Sequence, residues 1–263
     1  MPKQLRIRHE RAIFRDLPHH LRGLRILHIT DLHGRSSNKI NIDIWKKISN
    51  LRFDMAVITG DMVVNDIMQL TPHLNGLYQM ARRVPVFYVD GNHEVYFYEE
   101  MVKLLRHLGV TVLNNRQGNF AVGPVSGRAD SVVSVAGFRD YNFLAAHKFR
   151  GVWDFIDNIG KSGRFHIILT HQPQIFDWFC AERSNIRSAL VLAGHTHGGQ
   201  VRLPFFPTLF APGQGVFPKY GDGWYDNNDG RLKMYISRGI GATVFSVRLF
   251  NPPEVALIEL LRK

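Results

Sequence analysis

Five short apolar runs in this chain each end on a polar cluster of Asp, Asn or His residues, and few folds accommodate that repetition. Ile26 to Thr30 leads into Asp31-Leu32-His33-Gly34, Met55 to Thr59 into Gly60-Asp61, and Val86 to Val89 into Asp90-Gly91-Asn92-His93. Phe165 to Leu169 leads into Thr170-His171, and Ala189 to Ala193 into Gly194-His195-Thr196-His197. Runs of this length rich in Ile, Val and Phe read as buried strands. Helical spacing lies between several of them: Ile44, Ile48 and Leu51 share one face, and Val102, Leu105 and Leu108 share another. Strand alternating with helix predicts an α/β chain with largely parallel pairing in its first half. Further strand candidates, Val132 to Ala136, Leu232 to Ser237 and Val255 to Leu260, follow with few helical intervals. They predict a second sheet packed on the first. No internal repeat, low-complexity tract or linker divides the sequence, so residues 1–263 are expected to form one domain.

Loops beyond the carboxyl ends of strands in open α/β sheets are where such folds place their sites. Each residue type at these five ends has a chemical reason to be there. Asp31 and Asp61 are hard anionic oxygens, and Asp61 could bridge two cations with its two oxygen atoms. His33, His171, His195 and His197 supply neutral imidazole nitrogen, which suits Mn, Fe, Zn or Ni better than Mg or Ca. Asn92 supplies an amide oxygen without adding charge. Two carboxylates against two divalent cations leave a site of about +2, which draws a phosphate. A pair of cations about 4 Å apart polarises phosphoryl oxygens and lowers the pKa of a bound water towards ~7, and the resulting hydroxide attacks phosphorus in line.

In this order the five clusters resemble the motifs of the calcineurin-like metallophosphoesterases, over residues 31–197, about two thirds of the chain. One such motif is weak, whereas five in order, each after an expected strand, are specific. The resemblance implies two packed mixed β-sheets flanked by helices, a four-layer α/β/β/α sandwich. It also implies that Asp31, His33 and His197 hold one metal and that Asn92, His171 and His195 hold the other, with Asp61 bridging. Mn²⁺ is the favoured cation, with Fe, Zn or Ni as alternatives. His93 matches the family histidine that is not a ligand and contacts the phosphoryl group, stabilising the transition state or protonating the leaving oxygen. Asp90 or Glu94 could orient that imidazole.

Towards the C-terminus, Gly194-His195-Thr196-His197-Gly198-Gly199-Gln200, Ser237-Arg238-Gly239 and Asn251-Pro252-Pro253-Glu254 resemble one bacterial branch of the family. That branch includes general phosphodiesterases and hydrolases of UDP-2,3-diacylglucosamine, a lipid A precursor. The implied function is hydrolysis of a phosphodiester or pyrophosphate bond in a small or lipid-linked substrate. Arg238 and Arg248 could bind a second phosphate, because arginine forks match phosphate oxygens, or could sit in salt bridges. Leu203 to Pro218, which holds five of the apolar residues Phe and Leu beyond its first position, reads either as a flap for an acyl chain or bilayer or as a plain cover over the core.

The net charge of +11, with seven basic residues among the first 25, favours anionic partners: phosphorylated metabolites, an acidic membrane surface or nucleic acid. It keeps a nucleotide phosphodiesterase or nuclease as the alternative function, weakened by the lack of aromatic residues interleaved with basic ones. A non-catalytic scaffold of the same fold is a second alternative, disfavoured by the complete ligand set, and no protein partner can be inferred. The basic N-terminal stretch itself is expected to be a solvated face. The single cysteine, Cys180, excludes an intramolecular disulfide and suits a reducing compartment. No apolar segment follows the basic N-terminal residues, so the expectation is a cytoplasmic protein with at most peripheral contact on the inner face of the membrane.

Overall fold

Strands that are buried at every position need cover on both faces, and this chain supplies it with two sheets and two helical layers. The computed structural model describes residues 5–34, 38–122, 131–140, 150–181, 184–199, 208–241, 248 and 250–263. In chain order the first half holds β1 (Arg6–Phe14), β2 (Arg25–Ile29), α1 (Asn38–Ser49), β3 (Met55–Thr59), α2 (Leu74–Ala81), β4 (Val86–Val89), α3 (Tyr98–His107) and β5 (Thr111–Val112). There follow β6 (Arg116–Val122), β7 (Ser131–Gly137), α4 (Arg150–Lys161), β8 (Phe165–Leu169), α5 (Phe176–Cys180) and β9 (Ser188–Ala193). The chain ends with β10 (Phe210–Ala211), β11 (Gly215–Val216), β12 (Gly223–Asp226), β13 (Leu232–Ile236) and β14 (Glu254–Arg262).

The first sheet has the order β1-β14-β2-β3-β4-β5 and the second β12-β13-β9-β8-β7-β6. Both are mixed: β2 to β5 run parallel and β14 pairs antiparallel to β2. In the second sheet β7, β8, β9 and β13 run parallel, with β6 and β12 antiparallel at the edges. Alternate residues of each strand face opposite ways, and the burial pattern follows. Ile26, Val57, Phe87 and Ile258 of the first sheet meet Ile167, Leu190 and Tyr235 of the second in a core between the sheets. Leu27, Ile58 and Tyr88 point the other way and pack on Ile44, Ile48, Leu77, Met101 and Leu105 of α1 to α3. On the far side Ile168 and Val191 pack on Ile156, Ile159, Phe176 and Phe179 of α4 and α5. The layers are α/β/β/α, as expected.

The boundaries of β3, β4 and β8 match the apolar runs residue for residue. The later candidates also form strands, but they divide: β7 and β13 lie in the second sheet with β8 and β9, whereas β14, expected in the second sheet, joins the first between β1 and β2. The basic N-terminal stretch was expected to be a solvated face, and its Arg6, Arg11, Arg15 and Arg22 are exposed, on a segment that also joins the first sheet. Arg6–Phe14 is an edge strand paired in parallel with β14, burying Ala12 and Phe14 while its arginines line the open edge. Charged side chains on an edge strand keep it from pairing with another chain. Among the described residues no helix is long and apolar enough to cross a membrane.

The core between the sheets gives a direct test of this packing. Phe87 is fully buried and its ring meets the edge of Phe120 at 4.6 Å between centroids. Phe87→Ala should lower the unfolding free energy by about 3–5 kcal/mol. Chemical denaturation would read this as a lower midpoint at unchanged slope.

Candidate metal centre

β2, β3 and β4 of the first sheet and β8 and β9 of the second end at the same edge of the sandwich, and the residues that follow them converge. Asp31, His33, Asp61, His195 and His197 all have φ between 50° and 69°. Non-glycine residues rarely adopt this left-handed region, and each costs on the order of 1 kcal/mol or more. Bonds between the turns hold them there: Asp31 N donates to Gly60 O at 3.0 Å and His33 N to Asp61 O at 2.9 Å. Each turn therefore aims its side chain back over the strand ends.

Donor atoms of Asp31, His33, Asp61 and His197 lie within 4.8 Å of one another, and so do those of Asp61, His171 and His195. Asp61 belongs to both groups. In the first, His33 Nε2 is 3.2 Å from His197 Nε2, which is 3.3 Å from Asp31 Oδ1. In the second, Asp61 Oδ2 and Asn92 Oδ1 each lie 3.2 Å from His171 Nε2, and His195 Nδ1 lies 3.1 Å from it. Potential ligand atoms thus crowd around two points. Ligands about 2.1 Å from a divalent transition metal sit about 3.0–3.4 Å from one another, so the spacing fits such an ion. All six Asp and His side chains are buried.

Burial sets most of the local protonation. It pushes His33 down to about 4 and His195 to about 3, and holds His197 well below its ordinary value. Their lone pairs are thus open to a cation at neutral pH. Burial would also discharge His171, but Asp61 and then Asp31 outweigh it and raise its pKa well above the usual value. Burial likewise works to raise Asp61, but His171 outweighs it, joined by His33 and His93, and keeps the carboxyl far below the carboxylate range. Asp31 is pushed up to about 6, chiefly by burial.

Neighbouring groups fix each side chain. Thr30 Oγ1 donates to Asp31 Oδ2 at 2.8 Å, and His195 N donates to the same oxygen at 3.1 Å. Asp61 Oδ1 accepts from His93 N at 3.0 Å. Gly91 lies so close that a Cβ there would stand 2.2 Å from Asp61 Oδ1, so no other residue fits. His171 Nδ1 donates to Thr59 O at 2.7 Å, which fixes the ring with Nε2 towards Asp61.

Neither Asp90 nor Glu94 orients His93. The ring's Nδ1 donates to Val64 O at 2.9 Å instead. Glu94 begins a turn that carries its carboxylate back beneath the loop, where it accepts from Asp61 N at 2.9 Å, Gly91 N at 2.8 Å, Val63 N at 3.4 Å and Met62 N. Burial pushes Glu94 up to about 8, against the pull of those donors. Asp90 accepts from Arg139 Nε at 3.0 Å and Asp140 N at 3.1 Å, and the Arg139 guanidinium lies 3.6 Å from the Tyr98 ring centre. Glu94→Ala should leave several buried N–H groups without acceptors, each costing about 1–3 kcal/mol. It should also weaken metal binding about 10–100-fold. Denaturation and metal titration of the variant would measure both losses.

Arg238 and Arg248 are both engaged. Arg238 Nε bonds Asp222 Oδ2 at 2.7 Å, and Arg248 is buried, donating to Gly241 O at 2.7 Å and Arg238 O at 2.8 Å, with Nη2 3.3 Å from His197 Nδ1. Arg238 thus sits in a salt bridge, one of the two readings the sequence offered, and Arg248 is held by carbonyls beside His197. Asn251, whose amide donates to His197 O at 2.6 Å, is a further neighbour of His197 that no sequence spacing revealed. Residues 203–207 of the expected flap lie outside the described residues. The rest forms the β10–β11 hairpin, with Phe210, Val216 and Phe217 exposed at 53%, 67% and 72%. A Cβ on its Gly213 would lie 3.6 Å from His195 Nε2, so the hairpin borders the candidate centre.

Comparison with known proteins agrees with this geometry. The family model for calcineurin-like phosphoesterases matches residues 24–199. An uncharacterized metallophosphoesterase of Campylobacter jejuni is 30% identical over 252 residues, covering 94% of this chain and 62% of that protein. The uncharacterized metallophosphoesterase YkoQ of Bacillus subtilis is 26% identical over 245 residues, covering 90% and 83%. A Danio rerio transmembrane protein with metallophosphoesterase domain is 28% identical over 255 residues, covering 93% and 54%. The chain thus spans less than two thirds of the length of the Campylobacter and Danio proteins. With the matched region enclosing the whole convergent cluster, the chain belongs to the calcineurin-like phosphoesterase family.

Proposed function

We propose that the chain is a phosphoesterase dependent on two divalent metals, hydrolysing a phosphodiester or pyrophosphate bond of a small or lipid-linked substrate such as UDP-2,3-diacylglucosamine. The observation that carries this reading is the sharing of Asp61 between two buried donor groups. Asp31, His33 and His197 would hold one cation and Asn92, His171 and His195 the other, with Asp61 available to both. Mn²⁺ is the favoured ion, and Fe, Zn or Ni suit the same donors. The cations supply charge that draws the phosphoryl oxygens and acidifies a water towards ~7.

The protein's own groups do the remainder. His93 is the histidine of the cluster that reaches solvent, with its side chain 26% exposed and Nε2 3.9 Å from Asp61 Oδ2. Its Nδ1–H is committed to Val64 O, so Nε2 carries a hydrogen only in the doubly protonated ring. In that form it donates to a phosphoryl or leaving oxygen. The exposed apolar hairpin beside the centre supports a substrate with an acyl part and a peripheral contact with a membrane. A scaffold would have no use for a strained, buried cluster of this kind, which disfavours that alternative.

Turnover of bis-p-nitrophenyl phosphate should require Mn²⁺, stop on chelation and return when metal is restored. Full activity without metal would end the proposal. Assays against UDP-2,3-diacylglucosamine, nucleotides and phospholipid head groups then select the substrate.

A further inference from the structure

Three neighbouring strands of the second sheet, β8, β9 and β13, run parallel, and each is directly preceded by an arginine: Arg164, Arg187 and Arg231. The register pairs Phe165 with Ser188 and Ala189 with Leu232. Arg164 and Arg187 therefore stand side by side, and Arg231 stands level with Ser188 on the next strand. Strands lie about 4.8 Å apart, so three guanidinium-bearing residues crowd one end of the sheet. Like charges on adjacent strands are destabilising, and among the described residues Asp229 and Asp16 are the acids that act on this row, both on Arg231. Arg231 has Asp229, with Nη2 2.5 Å from Oδ2 in an exposed pair. Among the described residues the side chains of Arg164 and Arg187 have neither an ion pair nor a hydrogen bond.

All three arginines line a single cavity of about 700 Å³. Its opposite wall is the connection between β1 and β2, which contributes Asp16 and His20, and Asn119 of β6 closes one side. A volume of this size is that of a small-molecule site. The cavity is also remote from the metal centre. It sits where β8 and β9 begin, whereas His171 and His195 follow where they end, about 20 Å away at the usual rise per residue. Arginine forks match phosphate oxygens in paired hydrogen bonds, and two unpaired forks side by side suit adjacent phosphates.

We propose that this cavity is a second, non-catalytic site that binds a di- or polyphosphate group, whether of a free phosphorylated molecule or of a membrane headgroup. Occupation neutralises the arginine row at the foot of the strands that carry the metal-centre histidines. The proposal stands independently of the hydrolytic reading above.

Imidodiphosphate, whose P–N–P bridge resists hydrolysis, is the probe. Calorimetric titration of the metal-loaded protein should show two binding events in the wild type and one in Arg164→Gln/Arg187→Gln. Each single substitution should weaken the second event about tenfold. Turnover of bis-p-nitrophenyl phosphate by the double variant should equal that of the wild type. If the protein holds no metals, the wild type should still bind one equivalent, lost in the double variant. Phosphatidylcholine vesicles with and without a phosphatidylinositol bisphosphate, whose headgroup carries adjacent phosphates, separate the sources. Flotation with the anionic vesicles alone, lost in the double variant, assigns the ligand to a headgroup, whereas imidodiphosphate binding without flotation assigns it to a free phosphate. Identical titrations for wild type and double variant would overturn the proposal.

Discussion

Asp61→Ala is expected to empty both cation positions together and to lower phosphodiester turnover by more than about 10³-fold, beyond what one lost electrostatic contact usually costs. Asp61 is the residue common to the two donor groups, and its Oδ2 lies 3.2 Å from His171 Nε2 and 3.8 Å from His33 Nε2. Removing it takes an anion from each group, leaving Asp31 as the one carboxylate of the first and no carboxylate in the second, and it removes the ligand that ties the two positions together. Metal content should fall from two per chain to below one. Asp61→Asn separates charge from shape, since Asn tolerates the φ of 52° found there and keeps one ligand oxygen. It should fold like the wild type and still lose the bridge, holding fewer than two ions per chain. Asp226→Ala, which removes an exposed carboxylate paired with Lys233, should change neither quantity. An Asp61→Ala protein that retains two metals and full turnover would refute the shared-ligand reading.

Much of the architecture was legible because the strands that build it are covered on both faces. A strand such as Met55–Thr59, buried at every position, must be an unbroken apolar run, and its end shows as the first polar residue. The same rule made the site residues visible, since they follow those ends directly. Assignment of strands to sheets was less visible. Phe165–Leu169 and Met55–Thr59 look alike in sequence, yet they face each other across the core from different sheets. Arg6–Phe14 was opaque for the opposite reason: its charges mark an open edge, and its partner β14 lies at the other end of the chain.

Around the metal centre the hidden features are those that involve backbone. Val64 O holds the His93 ring, and a carbonyl oxygen leaves no mark on residue identity. Glu94 could be named as a neighbour of His93, but only the path of the turn sends its carboxylate to four N–H groups instead. Arg238 and Arg248 look in sequence like phosphate ligands because their partners, Asp222 and two carbonyls, are brought to them by loops.

Replacing His93 and replacing Asn92 should fail in different ways. His93→Ala is expected to cut turnover about 10²–10⁴-fold, the range for loss of a positioned proton donor, while both metals stay bound. The ring lies outside both donor groups, its Nε2 3.9 Å from Asp61 Oδ2, and the hydrogen bond from this position to Asp61 is made by the backbone N–H, which alanine retains. Asn92 Oδ1, in contrast, lies 3.2 Å from His171 Nε2, so Asn92→Ala should weaken one cation and spare the other. Metal analysis beside steady-state kinetics distinguishes the two, and equal metal loss in both variants would remove His93 from the chemistry. A further readout tests the proton itself. If Nε2 protonates the departing oxygen, the His93→Ala deficit should be small with p-nitrophenolate, which leaves readily as an anion, and largest with an alkyl alcohol, which does not. A deficit independent of the leaving group would place His93 on the phosphoryl oxygens instead, because stabilising charge there does not depend on what departs.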